Sequence, residues 1–375
     1  MKKILIIGCG YGGVVAAWRL SSHRKTVSVT VIDKSRNFNF LPLLPDCIGR
    51  RISPRHLVYP IDKLSSIYGF NFVNEEVKYL DLDKSLVMTS QRNISYDYLI
   101  IASGSETNFY NNEQIKRFAY KLDGAVDASK IAADIKVREF DAFVIAGGGY
   151  TGIEIATNLR VYLEWAGEKK RIVIVERAPS ILGPLPEWMK GYVRENLVRL
   201  NIEILANTVI EKIEEGSLAV SGGQQFNNAM LIWAAGVKTA DFLQNLNCEK
   251  NPQGRIKVDA NLKLKDNCFV IGDASYFQHQ NIYLRMAVQF AIAQATTAAS
   301  NVIRQIRGLP LRPFIPKDLG YLIPMANNSC CGNVLGRDMK GKTSIALHYL
   351  MSVYRAYGFR NKWGILKTLI TGVGK

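Results

Sequence analysis

No C-x-x-C pair and no metal-ligand spacing occurs among the six cysteines of this 375-residue chain, Cys9, Cys47, Cys248, Cys268, Cys330 and Cys331. A structural zinc site is therefore not expected, and in a chain this long such cysteines predict reduced thiols of an intracellular protein rather than a disulfide framework. Histidine is scarce, and His23, His56, His279 and His348 form no cluster, so no histidine-based metal or catalytic centre is expected. No window reaches the roughly 18 uninterrupted apolar residues that a membrane span needs, so a membrane would be met from its surface. Proline is sparse at 12 residues beside 30 glycines, and 48% hydrophobic with 21% charged residues is globular composition, neither disordered nor collagenous. Acidic residues are also short, 32 against 48 Lys and Arg. The resulting +16 predicts an anionic partner, which composition leaves open among nucleic acid, an acidic membrane face and anionic substrates. The length exceeds the roughly 250–300 residues at which single cores stop growing, so two domains or three are expected.

What is present begins at the N-terminus. MKK followed by apolar Ile4 to Trp18 imitates a signal peptide, but GCGYGG interrupts the run. A phosphate-binding turn explains it better. KILII (3–7) is a short apolar strand, Gly8-Cys9-Gly10-Tyr11-Gly12-Gly13 follows, VVAAWRL continues as helix, and the alternating strand Val27 to Ile32 ends in Asp33. This is a complete βαβ dinucleotide fingerprint. Gly8 permits the tight turn, Gly10 lets the backbone approach a pyrophosphate, Gly13 lets helix and strand pack closely, and Asp33 accepts from a ribose hydroxyl.

The pattern recurs about 140 residues later. Phe143 to Ala146 leads into Gly147-Gly148-Gly149-Tyr150-Thr151-Gly152, a helix through Glu154 to about Trp165, and the strand Arg171 to Val175 ending in Glu176. Two dinucleotides are expected. Glu176 would accept from a ribose 2′-OH and repel a 2′-phosphate, which predicts NAD over NADP, although neighbouring Arg177 could accommodate a phosphate. A third turn, Gly272-Asp273, closes the buried strand of NCFVIGDAS (267–275) before a helical stretch from about Met286 to Ile306. Alone it is unspecific, because any buried strand can end in Gly-Asp.

The two fingerprints, YDYLIIASGS (96–105) between them and CFVIGDAS after them resemble the two-dinucleotide flavoprotein disulfide reductase superfamily. The resemblance implies an α/β fold in which two Rossmann-like domains bind dinucleotides, the FAD domain being interrupted by the NADH domain. It places FAD on Gly8, Gly10, Gly13, Asp33, Ala102, Gly104, Gly272 and Asp273, and NADH on Gly147, Gly149, Gly152, Glu154 and Glu176. Within the superfamily the chain is similar to type II NADH:quinone oxidoreductases, through FLPLLPDCIGRRISPRHLVYPI (40–61), GGGYTGIEIA (147–156), LIWAAGVKTADFL (231–243), GRIKVD (254–259) and VQFAIAQ (288–294). That similarity implies hydride transfer from NADH to FAD, then electron transfer to a quinone without proton pumping. Glu154 would lie near the nicotinamide, orienting the ring or relaying a proton. Gln289 and Ala291, with the 41–47 loop, would line the quinone site. Val288, Ala293 and the displaced Gln294 depart from the family's quinone motif. The implied domains are 1–108 and 236–308 for FAD, 109–235 for NADH, and 309–375 for membrane docking. A homodimer is implied as well.

The C-terminal segment gives part of the charge a location. Lys342 to Lys375 contains six Lys or Arg and no Asp or Glu. Leu347, Leu350, Met351 and Tyr354 share one helical face, Ser344, His348, Ser352 and Arg355 the other, and Tyr357, Phe359 and Trp363 alternate with Arg360 and Lys362. A basic amphipathic helix with interfacial aromatics predicts peripheral docking on the cytoplasmic face of the cell membrane, each cation near anionic lipid being worth roughly 1 kcal/mol. Nucleic acid is not the expected partner. Three alternatives stay open: a sulfide:quinone oxidoreductase using Cys47 with Cys330 or Cys331, a soluble NADH-dependent reductase, and an NADH-sensing flavoprotein acting through partner binding.

Overall fold

A computed structural model describes residues 1–280 and 282–372. The chain forms two compact units, each assembled from separated stretches. The first unit comprises residues 1–38, 59–106 and 237–318, the second 39–58, 107–236 and 319 onward. Both are α/β, each built on a parallel sheet that carries one of the glycine turns.

In the first unit the sheet runs in the order Lys263–Lys265, Cys268–Val270, Tyr98–Ile101, Lys2–Ile7, Val27–Ile32, Asn71–Val73. Only the Lys263–Lys265 edge is antiparallel to its neighbour. The KILII run is apolar on both faces, which suits a central strand: Ile4 pairs with Val29 on one side and Tyr98 on the other. The strand order reverses at this first strand, so a crevice opens beyond its carboxyl end, where Gly8 begins the turn. Helix Tyr11–Ser21 packs against helix Val288–Ile306. Small residues allow the approach, since a Cβ added at Gly12 would lie 3.5 Å from the Ala291 carbonyl oxygen. The long helix begins at Val288 rather than near Met286, because its N-cap residue Ala287 is extended.

The second unit's sheet has the order Ile202–Leu205, Arg171–Val175, Ala142–Ala146, Ala229–Trp233, all parallel. Its helix Tyr150–Ala166 ends at Gly167, which takes the left-handed conformation that a Cβ disfavours. Ile153, Ile155, Ala156 and Leu159 from this helix form a core with Ile172, Ile174 and Ile232 of the sheet and Ile323, Met325 and Cys331 from the C-terminal part of the chain. The C-terminal part is an antiparallel sheet of Gly320–Met325, Ser329–Val334 and Arg337–Lys340, followed by helices Lys342–Arg355 and Phe359–Gly372. Contacts rather than chain order group residues 39–58 and the C-terminal part with the second glycine turn.

Candidate active site

The first turn has the shape that its glycines dictate. Gly8 has φ +97°, and a Cβ there would sit 2.4 Å from the Ala102 carbonyl oxygen. At Gly13 a Cβ would fall 1.8 Å from the Gly8 oxygen, so helix and strand can meet only without a side chain. Gly10 is different: apart from its chain neighbours, nothing lies within 4 Å of the Cβ it lacks. The turn is thus packed solid on its inner side and open at Gly10, whose carbonyl accepts the first helical bond, from the Val14 amide at 3.0 Å. An open backbone surface at a helix N-terminus fits a pyrophosphate. Asp33 stands at the end of the second strand, where its Oδ2 accepts from the Cys9 amide and its Oδ1 from the Ser35 amide, each at 2.7 Å. Burial raises its pKa against the pull of those two bonds.

Ala102, Gly104, Gly272 and Asp273 gather in this same unit. The Ala102 amide donates to the Ile7 carbonyl, and Gly104 has φ +68°. Asp273 accepts from the Ser105 hydroxyl at 3.0 Å, and burial raises its pKa. A Cβ on Gly272 would lie 3.4 Å from that of Ala291, so Ala291 supports the Gly-Asp turn from the long helix. Two further side chains, to which the sequence pattern gives no role, shape the turn. Gln294 is fully buried, and its Oε1 accepts from the Gly272 amide at 2.7 Å and the Ser275 hydroxyl at 3.1 Å. Arg255 is also buried, donating to the backbone oxygens of Asp273, Ser275 and Leu284. Arg255 belongs to the GRIKVD segment already noted, but nothing in its spacing marks the contact. Gln289 is half-buried and donates to Asp318 at 3.1 Å; Asp318 also bridges Arg285. The 41–47 segment belongs to the second unit.

The second turn repeats the geometry of the first. Gly147 has φ +108° with its absent Cβ 2.5 Å from the Ala234 oxygen, Gly152 would clash with the Gly147 oxygen at 1.9 Å, and Gly149 is open. Glu176 accepts from the Gly148 amide through Oε2 and from the Ala178 amide through Oε1, both at 2.7 Å, as Asp33 does with its two amides. One oxygen of each acid is thereby tied to the glycine turn, and the remaining lone pairs are available to ribose hydroxyls.

Glu154 lies one turn into helix Tyr150–Ala166 and is half-buried. Depth of burial, with the charge of Asp46 added, raises its pKa well above the carboxylate range. Asp46 is 3% exposed, in the short helical turn Pro45–Cys47. Its Oδ1 accepts from the Tyr349 hydroxyl at 2.8 Å and lies 3.2 Å from Arg50 Nε, an ion pair off hydrogen-bond alignment.

The cysteines supply no comparable chemistry. Cys330 and Cys331 are buried free thiols in a regular strand, where successive side chains point to opposite faces. Burial raises the pKa of both and that of Cys47. Thiols so held are poor nucleophiles. No group of acidic, histidine or cysteine side chains suited to a metal occurs among the described residues.

These paired glycine cradles with their acidic residues define a two-dinucleotide flavoprotein fold, and the chain belongs to the pyridine nucleotide-disulphide oxidoreductase family, which it matches over residues 2–301. Among its relatives are the demethylphylloquinone reductase NdbB of Synechocystis, 26% identical with 94% of this chain and 92% of that protein covered. The type II NADH:quinone oxidoreductase of Staphylococcus aureus is likewise 26% identical, with 91% and 92% covered. In fold the chain is similar to NDH2 from Plasmodium falciparum in complex with NADH, with a TM-score of 0.84, 18% identity, and 99% of this chain and 98% of that one covered.

Proposed function

We propose that the protein is a peripheral membrane NADH dehydrogenase that uses FAD to deliver electrons to a quinone, without pumping protons. The observation that carries this reading is the duplicated cradle, two glycine turns with matching acid-to-amide clamps, in a chain that aligns almost end to end with quinone-reducing relatives. Flavin, when bound, accepts hydride from NADH and passes electrons on. The chain's own residues bind, orient and hold protons. The turn at Gly8, Gly10 and Gly13, with Asp33, Ala102, Gly104, Gly272 and Asp273, holds FAD. The turn at Gly147, Gly149 and Gly152 holds NADH, with Glu176 favouring a free 2′-OH. Gln289 and Ala291 serve the quinone, and Glu154 holds a proton at its carboxyl.

The purified protein is expected to be yellow and to oxidise NADH faster than NADPH, dependent on added quinone. A Glu176→Ala variant removes the repulsion of a 2′-phosphate and narrows that preference, measured as the ratio of kcat/KM values. Sulfide that bleaches the flavin where NADH does not would overturn the reading. Because Cys331 is buried, free and raised in pKa, Cys331→Ala leaves quinone-dependent turnover unchanged. Loss of turnover in that variant favours thiol redox chemistry.

Docking rests on the two C-terminal helices. No helix among the described residues is long and apolar enough to cross a membrane. Helix Lys342–Arg355 instead turns its serines inward and leaves Leu350, Met351 and Tyr354 exposed. Apolar side chains facing outward beside Arg360, Lys362 and Lys367 suit a headgroup layer of anionic lipid, such as that on the cytoplasmic face. The family resemblance adds a second copy of the chain as partner, tested by sedimentation.

A further inference from the structure

The turn from Gly272 to Ser275 is held by more than its own backbone. Gly272 is left-handed, at φ +67°, and its amide donates to Gln294 Oε1 at 2.7 Å. The Ser275 hydroxyl faces that same Oε1 at 3.1 Å and the Gly272 carbonyl at 2.9 Å. Arg255 grips the turn from another element. Its Nε donates to the Asp273 carbonyl at 3.1 Å, and its Nη2 to those of Ser275 at 2.6 Å and Leu284 at 3.1 Å. The strand that follows it, Ile256–Lys257, pairs with Ser275–Tyr276, so side chain and backbone both fasten this side of the turn.

Two features go beyond what holding a turn requires. A buried guanidinium is costly unless an anion compensates it, and three backbone carbonyls could be met by neutral donors. Yet Arg255 is 6% exposed and forms no ion pair among the described residues, the charge of Asp273 reaching it only through space. The second feature is where Gln294 stands in its helix. Five residues from Gln289, it lies about 140° away around the axis, so the two glutamines do not share a face. Gln294 is 2% exposed and its Oε1 is spent on the turn. Swinging it toward a quinone would leave the Gly272 amide without its acceptor.

We propose that Gln294 and Arg255 are positioning residues for the flavin: from two separate elements they lock the Gly272 to Ser275 turn, presenting Asp273 to the FAD stem, so that Gln294 serves the flavin and not the quinone. The inference rests on the reading of the first unit as the FAD-binding one. FAD is anionic, and its arrival brings negative charge to a turn whose buried cation has no counter-ion among the described residues. The cost of burying Arg255 is thereby offset in the loaded protein. Asp273, with its side chain already tied to the Ser105 hydroxyl at 3.0 Å and its carbonyl to Arg255, is fixed before the cofactor arrives. A group ordered in advance loses less entropy on binding.

The test is the rate at which FAD leaves the diluted holoenzyme, read as flavin passing an ultrafiltration membrane, for the wild type, Gln294→Met, Arg255→Lys, Arg255→Met and the double variant Gln294→Met with Arg255→Met. The KM values for NADH and for a short-chain quinone are measured beside it in excess FAD. Gln294→Met keeps the side-chain volume but removes the acceptor, and FAD leaves about ten- to a hundredfold faster while both KM values stay as in the wild type. Arg255→Lys keeps the charge but cannot reach all three carbonyls, so its effect lies between wild type and Arg255→Met. Both side chains act through one turn, and the double variant therefore speeds release by less than the product of the single effects. A raised quinone KM with wild-type FAD release in Gln294→Met returns that residue to the quinone and overturns the proposal. Effects that multiply in the double variant overturn the shared turn, and a raised NADH KM beside faster release marks general loosening and does the same. Should Arg255→Met fail to fold, Arg255→Lys alone and with Gln294→Met decides between these outcomes. A wild-type protein that neither carries nor takes up FAD overturns the underlying reading instead, and this shows before any variant is made.

Discussion

A Gly13→Ala variant is expected to lose its flavin. The added methyl group would stand 1.8 Å from the carbonyl oxygen of Gly8, and the atom it meets is backbone. No rotamer change can relieve that contact, so the helix Tyr11–Ser21 must move off the first strand. The same movement disturbs Gly8, itself pressed against Ala102 and held at φ +97°. Overpacking of this kind costs about 3 kcal/mol, which in a unit of this size lowers the melting temperature by about 6–12 °C. Gly10→Ala is the informative companion. Its methyl group meets no protein atom, so the fold and its melting temperature are retained while the cradle floor is raised under a pyrophosphate. Flavin absorbance and thermal unfolding of the two variants, measured side by side, separate damage to the scaffold from obstruction of the cofactor. Full flavin content in both would contradict the placement of FAD on this turn.

The second large effect is expected at the opposite end of the chain. In helix Phe359–Gly372, Phe359 is 83% exposed, Trp363 58% and Ile370 69%, and with Leu366 they recur at intervals of four, three and four residues on one face. The other side of the helix is anchored to the second unit: Ile365 is buried, Asn361 donates to the Val58 carbonyl, and Gly364 lies against the His56 ring. The outward aromatics can therefore be changed without touching the packing that holds the helix. Replacing both Phe359 and Trp363 with glutamate removes about 3–6 kcal/mol of apolar burial in lipid, equivalent to a weakening of vesicle binding by about 100-fold or more. Like charge between the new glutamates and anionic lipid adds to the loss. Sedimentation with anionic vesicles measures the binding. Turnover with a water-soluble short-chain quinone should be unaffected, and turnover with a long-chain quinone in liposomes should fall. Undiminished vesicle binding would remove these helices from the docking surface and leave their apolar faces to another partner.

The same features divide what is legible in the sequence from what is not. Both cradles were legible because they are local: a turn that needs a positive φ, an open approach and a close helix contact needs glycine at each of three fixed offsets, and the acid that ties it off stands at the end of the next strand. Helix Tyr150–Ala166 was legible as the helix of the second fingerprint, and the long helix of the first unit as the helical stretch that follows Gly272-Asp273. Gln294 was not. In the sequence it was a displaced member of an alanine-glutamine motif, whereas in the structure it is a buried clamp on the Gly272 amide. Arg255 was hidden for the same reason, since its contacts lie about 20 residues away across a strand and a turn.

The sequence by itself determined the two dinucleotide turns, the α/β class that follows from strand-turn-helix repetition, and the acid-free basic C-terminal segment. These depend on residues a few positions apart, where backbone sterics and periodicity allow few alternatives. Only the tertiary structure decided that Asp46 meets Arg50 and Tyr349, that Cys330 and Cys331 are buried free thiols, and that Leu350, Tyr354, Phe359 and Trp363 face outward. Each of those depends on which segments are brought together and on the solvent they exclude. Burial and long-range pairing set the charge of a carboxyl group or the fate of an apolar face, and neither is encoded in the spacing of neighbouring residues.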